Sequence, residues 1–207
     1  MKKTVKLFVL FVLTAAFVIS CLASCGSKND PETVAAAEEL IEKSYEINEI
    51  FFGKGLAVDE ESRQEALEGF DAQSDVQKVA YAKADALCGY DSVSSLKEAA
   101  LSVYTEQYCE VLFASAFNGI KDAIGNTVEY ARYIDDEFGF LTVRVDIEED
   151  AIKLDRTYDL STITITKQTD SFALFTVDSL VAGEPSDTVR IKMVMTENGW
   201  RLDTPTY

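Results

Sequence analysis

The chain of 207 residues contains no histidine. Imidazole is the usual general base near neutral pH and a common zinc ligand. Its absence excludes Ser-His-Asp and Cys-His catalysis, and it excludes zinc sites that depend on histidine. An enzyme built from this sequence would have to use carboxylate and tyrosine groups. We therefore expect a non-catalytic protein without a cofactor or a metal ion.

Basic residues are also scarce. The sequence has 19 Lys and Arg against 36 Asp and Glu, which gives a net charge of −17 at pH 7. From residue 25 onwards there are 16 basic and 36 acidic residues, a net charge of −20. So acidic a chain repels nucleic-acid phosphates and anionic membrane surfaces, which excludes nucleic-acid binding. A solvated surface is the simplest interpretation, and an affinity for basic partners or cations is the functional one.

Long apolar runs are absent after the N-terminus. Met1 to Lys6 carries three lysines, and the 13 residues from Leu7 to Ile19 are apolar except for Thr14. A spanning helix needs roughly 20 apolar residues. A basic segment, a short apolar segment and then small residues are typical of an export signal. We expect residues 1–24 to be a signal peptide, with an uncleaved membrane helix as the alternative.

The sequence Leu22-Ala23-Ser24-Cys25 follows this apolar segment and resembles the lipobox of bacterial lipoproteins. The resemblance implies cleavage between Ser24 and Cys25, acylation of Cys25, and a position on the extracytoplasmic face of the cell membrane. The lipid bilayer would then be a partner. Residues 25–30 would be the lipidated cysteine and a short tether, whose five residues after Cys25 reach at most about 18 Å. A looser match ends at Cys21, which is the alternative lipidation site.

The next part of the chain has helical spacing. Asp30 and Pro31 are typical of a helix N-cap and first helical position, and the pattern continues to Phe52, before Gly53. Gly53-Lys54-Gly55 places a lysine between glycines, but the spacing of a phosphate-binding P-loop is missing. Residues 60–70 predict a second, shorter helix, and residues 79–83 predict an extended segment.

Two more helices are predicted before residue 120. Ser95 and Glu98 match a capping box, with Ser95 at the N-cap. Thr105 predicts the start of the next helix or a bend. Apolar residues at i, i+3, i+4 and i+7 continue that helix to about Asn118-Gly119.

From about residue 128 the period of the apolar residues changes from 3.6 to 2. Asn198-Gly199 is a strong signal for a tight hairpin. Because the connections are short, neighbouring strands should pair antiparallel. Strands are predicted over residues 128–134, 141–146, 162–166, 172–177 and 189–195, with a returning strand from Trp200.

Helices followed by an antiparallel meander predict an α+β fold. We expect a single domain over residues 31–207, with N-terminal helices (about 31–119) packed on one face of a curved antiparallel sheet (about 128–203). Over residues 95–207 the helix pair, the meander and the final hairpin Asn198-Gly199-Trp200-Arg201-Leu202 resemble the NTF2-like (cystatin-like) superfamily. That resemblance implies a cone between sheet and helix, in which the superfamily's enzymes carry Asp, Tyr or His groups. There is a weaker similarity to cell-wall DL-endopeptidase inhibitors, onto which no inhibitory residue maps.

Five residues of this domain are candidates for a site. Tyr104, Tyr108 and Trp200 are candidates to line a ligand pocket, although such aromatics more often form ordinary core. Cys88 and Cys109 are candidates for a disulfide, which an exported protein permits, and two buried free thiols are the alternative. The acidic run over residues 146–150 contains no glycine and does not match a calcium-binding loop, so we expect a solvated loop.

The sequence therefore favours an exported, membrane-anchored lipoprotein that acts as a ligand- or protein-binding module at the cell surface. The expected partner, besides the bilayer, is an envelope protein or a small ligand. One alternative is an inhibitor or modulator of a cell-envelope hydrolase. The other is a small pocket enzyme that uses Asp or Glu and Tyr without His.

Overall fold

The computed structural model describes residues 30–70, 79–147 and 155–207. The predicted signal peptide, Ser24, Cys25, the alternative Cys21 and nearly all of the tether lie outside the described residues, and so does most of the acidic run. The predictions made for them stay predictions. No helix in the described part of the chain is long and apolar enough to cross a membrane.

The helices begin and end largely where local signals place them. Helix α1 starts because the Asp30 side chain accepts a hydrogen bond from the Thr33 amide at 3.1 Å and Pro31 occupies the first position. It ends at Gly53, whose N–H donates to the carbonyls of Asn48 and Glu49. The predicted first helix is confirmed. The helices are α1 (Pro31–Phe52), α2 (Glu60–Glu68), α3 (Val93–Val103) and α4 (Glu106–Phe113), and α4 is followed by a π-helical turn (Ala114–Asn118).

The predicted start of α3 is wrong by three residues. Ser92 is the N-cap: its hydroxyl accepts from the Ser95 amide, and the Ser95 hydroxyl accepts from the Ser92 amide. The capping box is therefore Ser92–Ser95 and not Ser95–Glu98. A distant residue fixes this choice, since the Asp135 carboxylate accepts a hydrogen bond from the Val93 amide at 2.8 Å. Thr105 caps α4, as predicted.

The strands form three antiparallel sheets among the described residues, where the sequence predicted one curved sheet. The largest has the order β6-β7-β8-β9, the second β1-β5-β4, and the third is the pair β2-β3. The strands are β1 (Tyr81–Lys83), β2 (Ile120–Lys121), β3 (Thr127–Glu129), β4 (Tyr133–Asp135), β5 (Leu141–Arg144), β6 (Arg156–Gln168), β7 (Phe172–Val181), β8 (Glu184–Thr196) and β9 (Gly199–Leu202).

The break in the sheet occurs within residues 128–134, which were predicted as one strand. The Arg132 amide donates to the Ala116 carbonyl, in the middle of the π-helical turn, so the chain leaves the β2-β3 ladder there. It resumes as β4, which pairs with β5. Strand β1 lies within residues 79–83, which were predicted to be extended, and it pairs with the other edge of β5. The predicted hairpin at Asn198-Gly199 is confirmed, and β4 and β5 form another hairpin with its turn at residues 136–139.

One hydrophobic cluster joins the helices to the inner face of the large sheet. Helix α1 packs on β6 and β9, and α3 packs on α1 and β9. The fold is therefore α+β, as predicted. Fully buried members of the cluster include Ile41, Leu96, Tyr104, Phe175, Ile191, Met193 and Leu202.

Candidate ligand-binding cavity

A cavity of about 720 Å³ lies away from the large sheet. Its walls come from the end of α1 and the loop after it (residues 51–58), from α4, and from the β-segments between residues 129 and 147. Sites for small organic ligands commonly have volumes of roughly 300–1,000 Å³. The cavity is large enough for a ligand of that class.

The Phe51 ring forms part of the back wall of the cavity and is fixed from behind by Phe117 and Tyr133, which do not line the cavity themselves. The Phe51 ring makes edge-on contacts with Phe117 at a centroid distance of 5.8 Å and with Tyr133 at 6.3 Å. The Tyr133 hydroxyl donates to the Ile50 carbonyl at 2.6 Å, which fastens β4 to α1. Burial raises the pKa of Tyr133 to about 12, so this phenol remains neutral. The wall is thus formed before any ligand arrives.

Arg132 holds the loop after α1 against β4. Its guanidinium donates to the Phe51 carbonyl at 3.3 Å and to the Gly53 carbonyl at 2.8 Å. These are carbonyls at a helix C-terminus, where a cation is favoured. Gly55 adopts φ +87° beneath this guanidinium, and a Cβ there would lie 2.6 Å from an Arg132 nitrogen. The loop therefore requires glycine at position 55.

Arg144, on the β5 side of the cavity, is paired. Its Nε and guanidinium nitrogen donate to both carboxylate oxygens of Asp146 at 2.9–3.2 Å, and Asp146 also accepts from the Ala80 amide at 3.0 Å. Burial opposes ionisation of Asp146, but these hydrogen bonds outweigh it and hold the pKa of the carboxyl below its ordinary value. The same pair raises the pKa of Arg144. The Arg144 charge is therefore already compensated.

Two further cations line the cavity without such compensation. In the described part of the chain, neither the Lys54 nor the Arg63 side chain forms an ion pair. Two acids line the cavity, and one of them, Asp203, is bound to Lys192 at 2.6 Å and to the Thr105 hydroxyl at 2.7 Å. Four basic and two acidic residues thus line this cavity, whereas acidic residues outnumber basic ones over the whole chain.

Of the three aromatics predicted to line a pocket, the structure brings only Tyr108 to this cavity. Its ring stacks on Tyr104 at a centroid distance of 4.5 Å. Burial, chiefly, raises the pKa of Tyr108 above its ordinary value, with a smaller contribution from the nearby Tyr207 side chain, and the buried Tyr108 hydroxyl forms no hydrogen bond of standard geometry among the described residues. The prediction for Trp200 is wrong for this cavity, because Trp200 packs against the hydrophobic core.

Tyr104 is a core residue and not a pocket residue. Its hydroxyl donates to Asn48 Oδ1 at 2.8 Å and lies 2.7 Å from Thr206 Oγ1. The Asn48 amide donates to Thr206 Oγ1 at 2.8 Å, and the Thr206 hydroxyl donates to Ser44 Oγ at 2.7 Å. All four side chains are buried. This polar cluster, defined by Ser44, Asn48, Tyr104 and Thr206, joins α1 to the α3–α4 junction and to the last residues of the chain.

Cys88 and Cys109 are free thiols in the structure, and of the two only Cys109 is buried, whereas Cys88 is partly buried. Cys109 is fully buried, and burial raises the pKa of its thiol to about 12. Among the described residues no group of three or more Cys, Asp or Glu side chains is placed to hold a metal ion.

Most of the cavity residues had no signal in the sequence. Lys54 stood out because of the glycines around it, and the structure places it at the cavity, although without the backbone of a P-loop. Arg63, Arg132 and Arg144 come from separate elements and carry no common motif. Arg132 and Arg144 face one cavity because β4 pairs with β5, and Arg63 joins them because α2 packs on β1, which pairs with the other edge of β5.

Comparison with known proteins does not assign a ligand to this cavity. No protein-family model, no curated protein and no solved structure matches the chain. The resemblances to lipoproteins, to the NTF2-like superfamily and to endopeptidase inhibitors accordingly stay predictions.

Proposed function

We propose that this protein is a non-catalytic binding module, held on the extracytoplasmic face of the membrane by a lipid on Cys25, and that it binds a small apolar or amphipathic ligand in the 720 Å³ cavity. The observation that supports the proposal is the cavity itself. It combines a suitable volume, an aromatic back wall and a few polar side chains, the usual composition of a small-molecule site.

The titratable groups of the cavity favour binding over catalysis. A general acid or base works best with a pKa near the operating pH. The pKa of Asp203 is shifted away from neutral pH. Burial opposes ionisation of this carboxyl, but hydrogen bonds from Lys192 and Thr105 hold its pKa below the ordinary value. The phenol of Tyr108 has a raised pKa, so it stays neutral. Neither group is poised to transfer a proton at neutral pH.

The proposed lipid anchor determines where the protein would encounter its ligand. A tether of at most about 18 Å keeps the domain close to the bilayer. Two acyl chains give stable anchoring, at about 0.8 kcal/mol for each buried CH₂ group. The module would therefore bind a ligand that is present at, or passes through, the zone next to the membrane.

The test uses phenylnaphthylamine, a neutral aromatic probe that fluoresces in apolar surroundings. The full chain in phosphatidylcholine nanodiscs should increase its fluorescence saturably, after subtraction of empty nanodiscs. Val111 lines the cavity and is 77% exposed, so Val111→Glu places a charge on the wall at little cost to folding. Leu87 is 94% exposed and does not line the cavity, so Leu87→Glu is the matched control.

We expect V111E to weaken binding of the probe roughly tenfold, since a charge on an apolar wall must be desolvated when the probe binds. L87E should bind like the unmodified chain. Equal binding by all three proteins, or none by any, would reject the cavity as the site.

A further inference from the structure

The cations of the cavity indicate a ligand class. Arg132 is held by carbonyl oxygens, Arg144 by Asp146, and the acid Asp203 by Lys192. The other charged residues that line the cavity are the cations Lys54 and Arg63 and one acid, Glu129. Outside the lining, the Glu49 carboxylate accepts a hydrogen bond from the Lys54 amide at 3.1 Å. The lumen therefore presents two cations that no acid in the described part of the chain pairs with.

Local charge outweighs the negative charge of the whole chain at this position. The Debye length is about 8 Å at physiological ionic strength, so most of the 36 acidic residues are screened from the lumen. At a distance of about 4 Å, two unit charges interact by several times the thermal energy at the effective dielectric of a protein surface. An anion that reaches the cavity is therefore attracted by Lys54 and Arg63, although the rest of the surface repels it.

The apolar wall lies in the same cavity as these cations. Val111 and Leu112 of α4, with Phe51 and Leu56 on the α1 side, face the lumen. We infer that the ligand is an amphipathic anion, in which an apolar body packs on this wall and a carboxylate, sulfonate or phosphate group binds Lys54 and Arg63. The inference rests on the binding function proposed for this cavity and specifies the chemical class of its ligand.

The experiment compares two probes that differ by a single group. Anilinonaphthalene sulfonate is phenylnaphthylamine with a sulfonate added, so the pair isolates the contribution of the anion. Both are titrated against the full chain in phosphatidylcholine nanodiscs, with empty nanodiscs subtracted. The double variant K54Q/R63Q removes the two cations. The double variant K121Q/R190Q removes one lysine and one arginine that do not line the cavity, and it is the matched control.

For the unmodified chain we expect tighter binding of the sulfonate than of the neutral probe. K54Q/R63Q should weaken sulfonate binding roughly five- to tenfold and neutral-probe binding less than about twofold, while K121Q/R190Q changes neither by more than about twofold. Inorganic phosphate, which has no apolar body, should displace the sulfonate probe only weakly.

A wrong ligand class and a wrong binding function would give different results. If the neutral probe binds at the wall but K54Q/R63Q leaves the sulfonate probe unaffected, the anionic ligand class is wrong and the binding function stands. If phosphate alone displaces the sulfonate probe efficiently, the apolar body is not part of recognition, which also overturns the inference. If neither probe binds, the proposed function itself fails.

Discussion

The stacked pair Tyr104 and Tyr108 provides a stability test with an internal control. Both rings are packed against each other, but only the Tyr104 hydroxyl forms hydrogen bonds of standard geometry among the described residues. Tyr104→Phe keeps the ring stack and removes the contacts to Asn48 and Thr206. Each hydrogen bond contributes about 0.5–1.5 kcal/mol to the net stability, and the side-chain oxygen Oδ1 of Asn48 would be left buried and unpaired. We expect a loss of about 2 kcal/mol in the free energy of unfolding.

The matched variant Tyr108→Phe removes a hydroxyl that forms no hydrogen bond of standard geometry among the described residues, although the Tyr207 side chain lies near it. Since a buried unpaired group costs stability, this variant should be neutral or more stable by up to about 1 kcal/mol. Thermal unfolding followed by circular dichroism gives the readout. A loss of 2 kcal/mol corresponds to a fall of about 4–8 °C in Tm for a chain of this size. An equal or larger loss for Y108F than for Y104F would refute the assignment of the two hydroxyls.

Two other predictions concern the anchor and an ion pair. Cys25→Ala should release the protein from the membrane fraction or leave it unprocessed in cell fractionation. A processed, membrane-bound product would instead indicate that Cys21 carries the lipid. Asp146→Asn should lower stability at pH 7 by about 2 kcal/mol, because the carboxylate accepts charge-assisted hydrogen bonds from Arg144. The pKa of Asp146 is depressed in the folded state, so its contribution is complete above the unfolded value of about 3.9 and disappears as the pH falls through the folded one. Urea unfolding at pH 7 and pH 3 should show this difference shrinking in acid, and a constant difference would contradict it.

Local signals were sufficient for much of the fold. Asp30, Pro31 and Gly53 act on the backbone next to them, as N-cap, first helical residue and C-cap, so α1 could be predicted from the sequence. The same holds for the final hairpin, where Gly199 has φ +94°. The start of α3 could not be predicted, because Ser92 and Ser95 both fit an N-cap and a hydrogen bond to Asp135 decides between them.

The cavity depended on tertiary pairing, which the sequence pattern did not reveal. Tyr104 and Tyr108 are four residues apart and their rings stack, but Tyr104 lies in extended backbone at the α3–α4 junction and only Tyr108 lies in a helix. The spacing does not indicate that Tyr104 enters a polar cluster with Asn48 and Thr206 while Tyr108 faces a cavity. Likewise Arg63 and Arg144 are 81 residues apart, and only the pairing of β1 with β5 brings their elements together.

We propose the cavity of about 720 Å³ as the ligand site. Its most direct test is photoaffinity labelling of the full chain with an aryl azide derivative of phenylnaphthylamine, followed by peptide mass spectrometry. We expect labels on residues 51–58, on 107–116 and on 129–147, and competition by unmodified phenylnaphthylamine. Labels confined to exposed apolar residues elsewhere, such as Leu87 or Ile124, would contradict it.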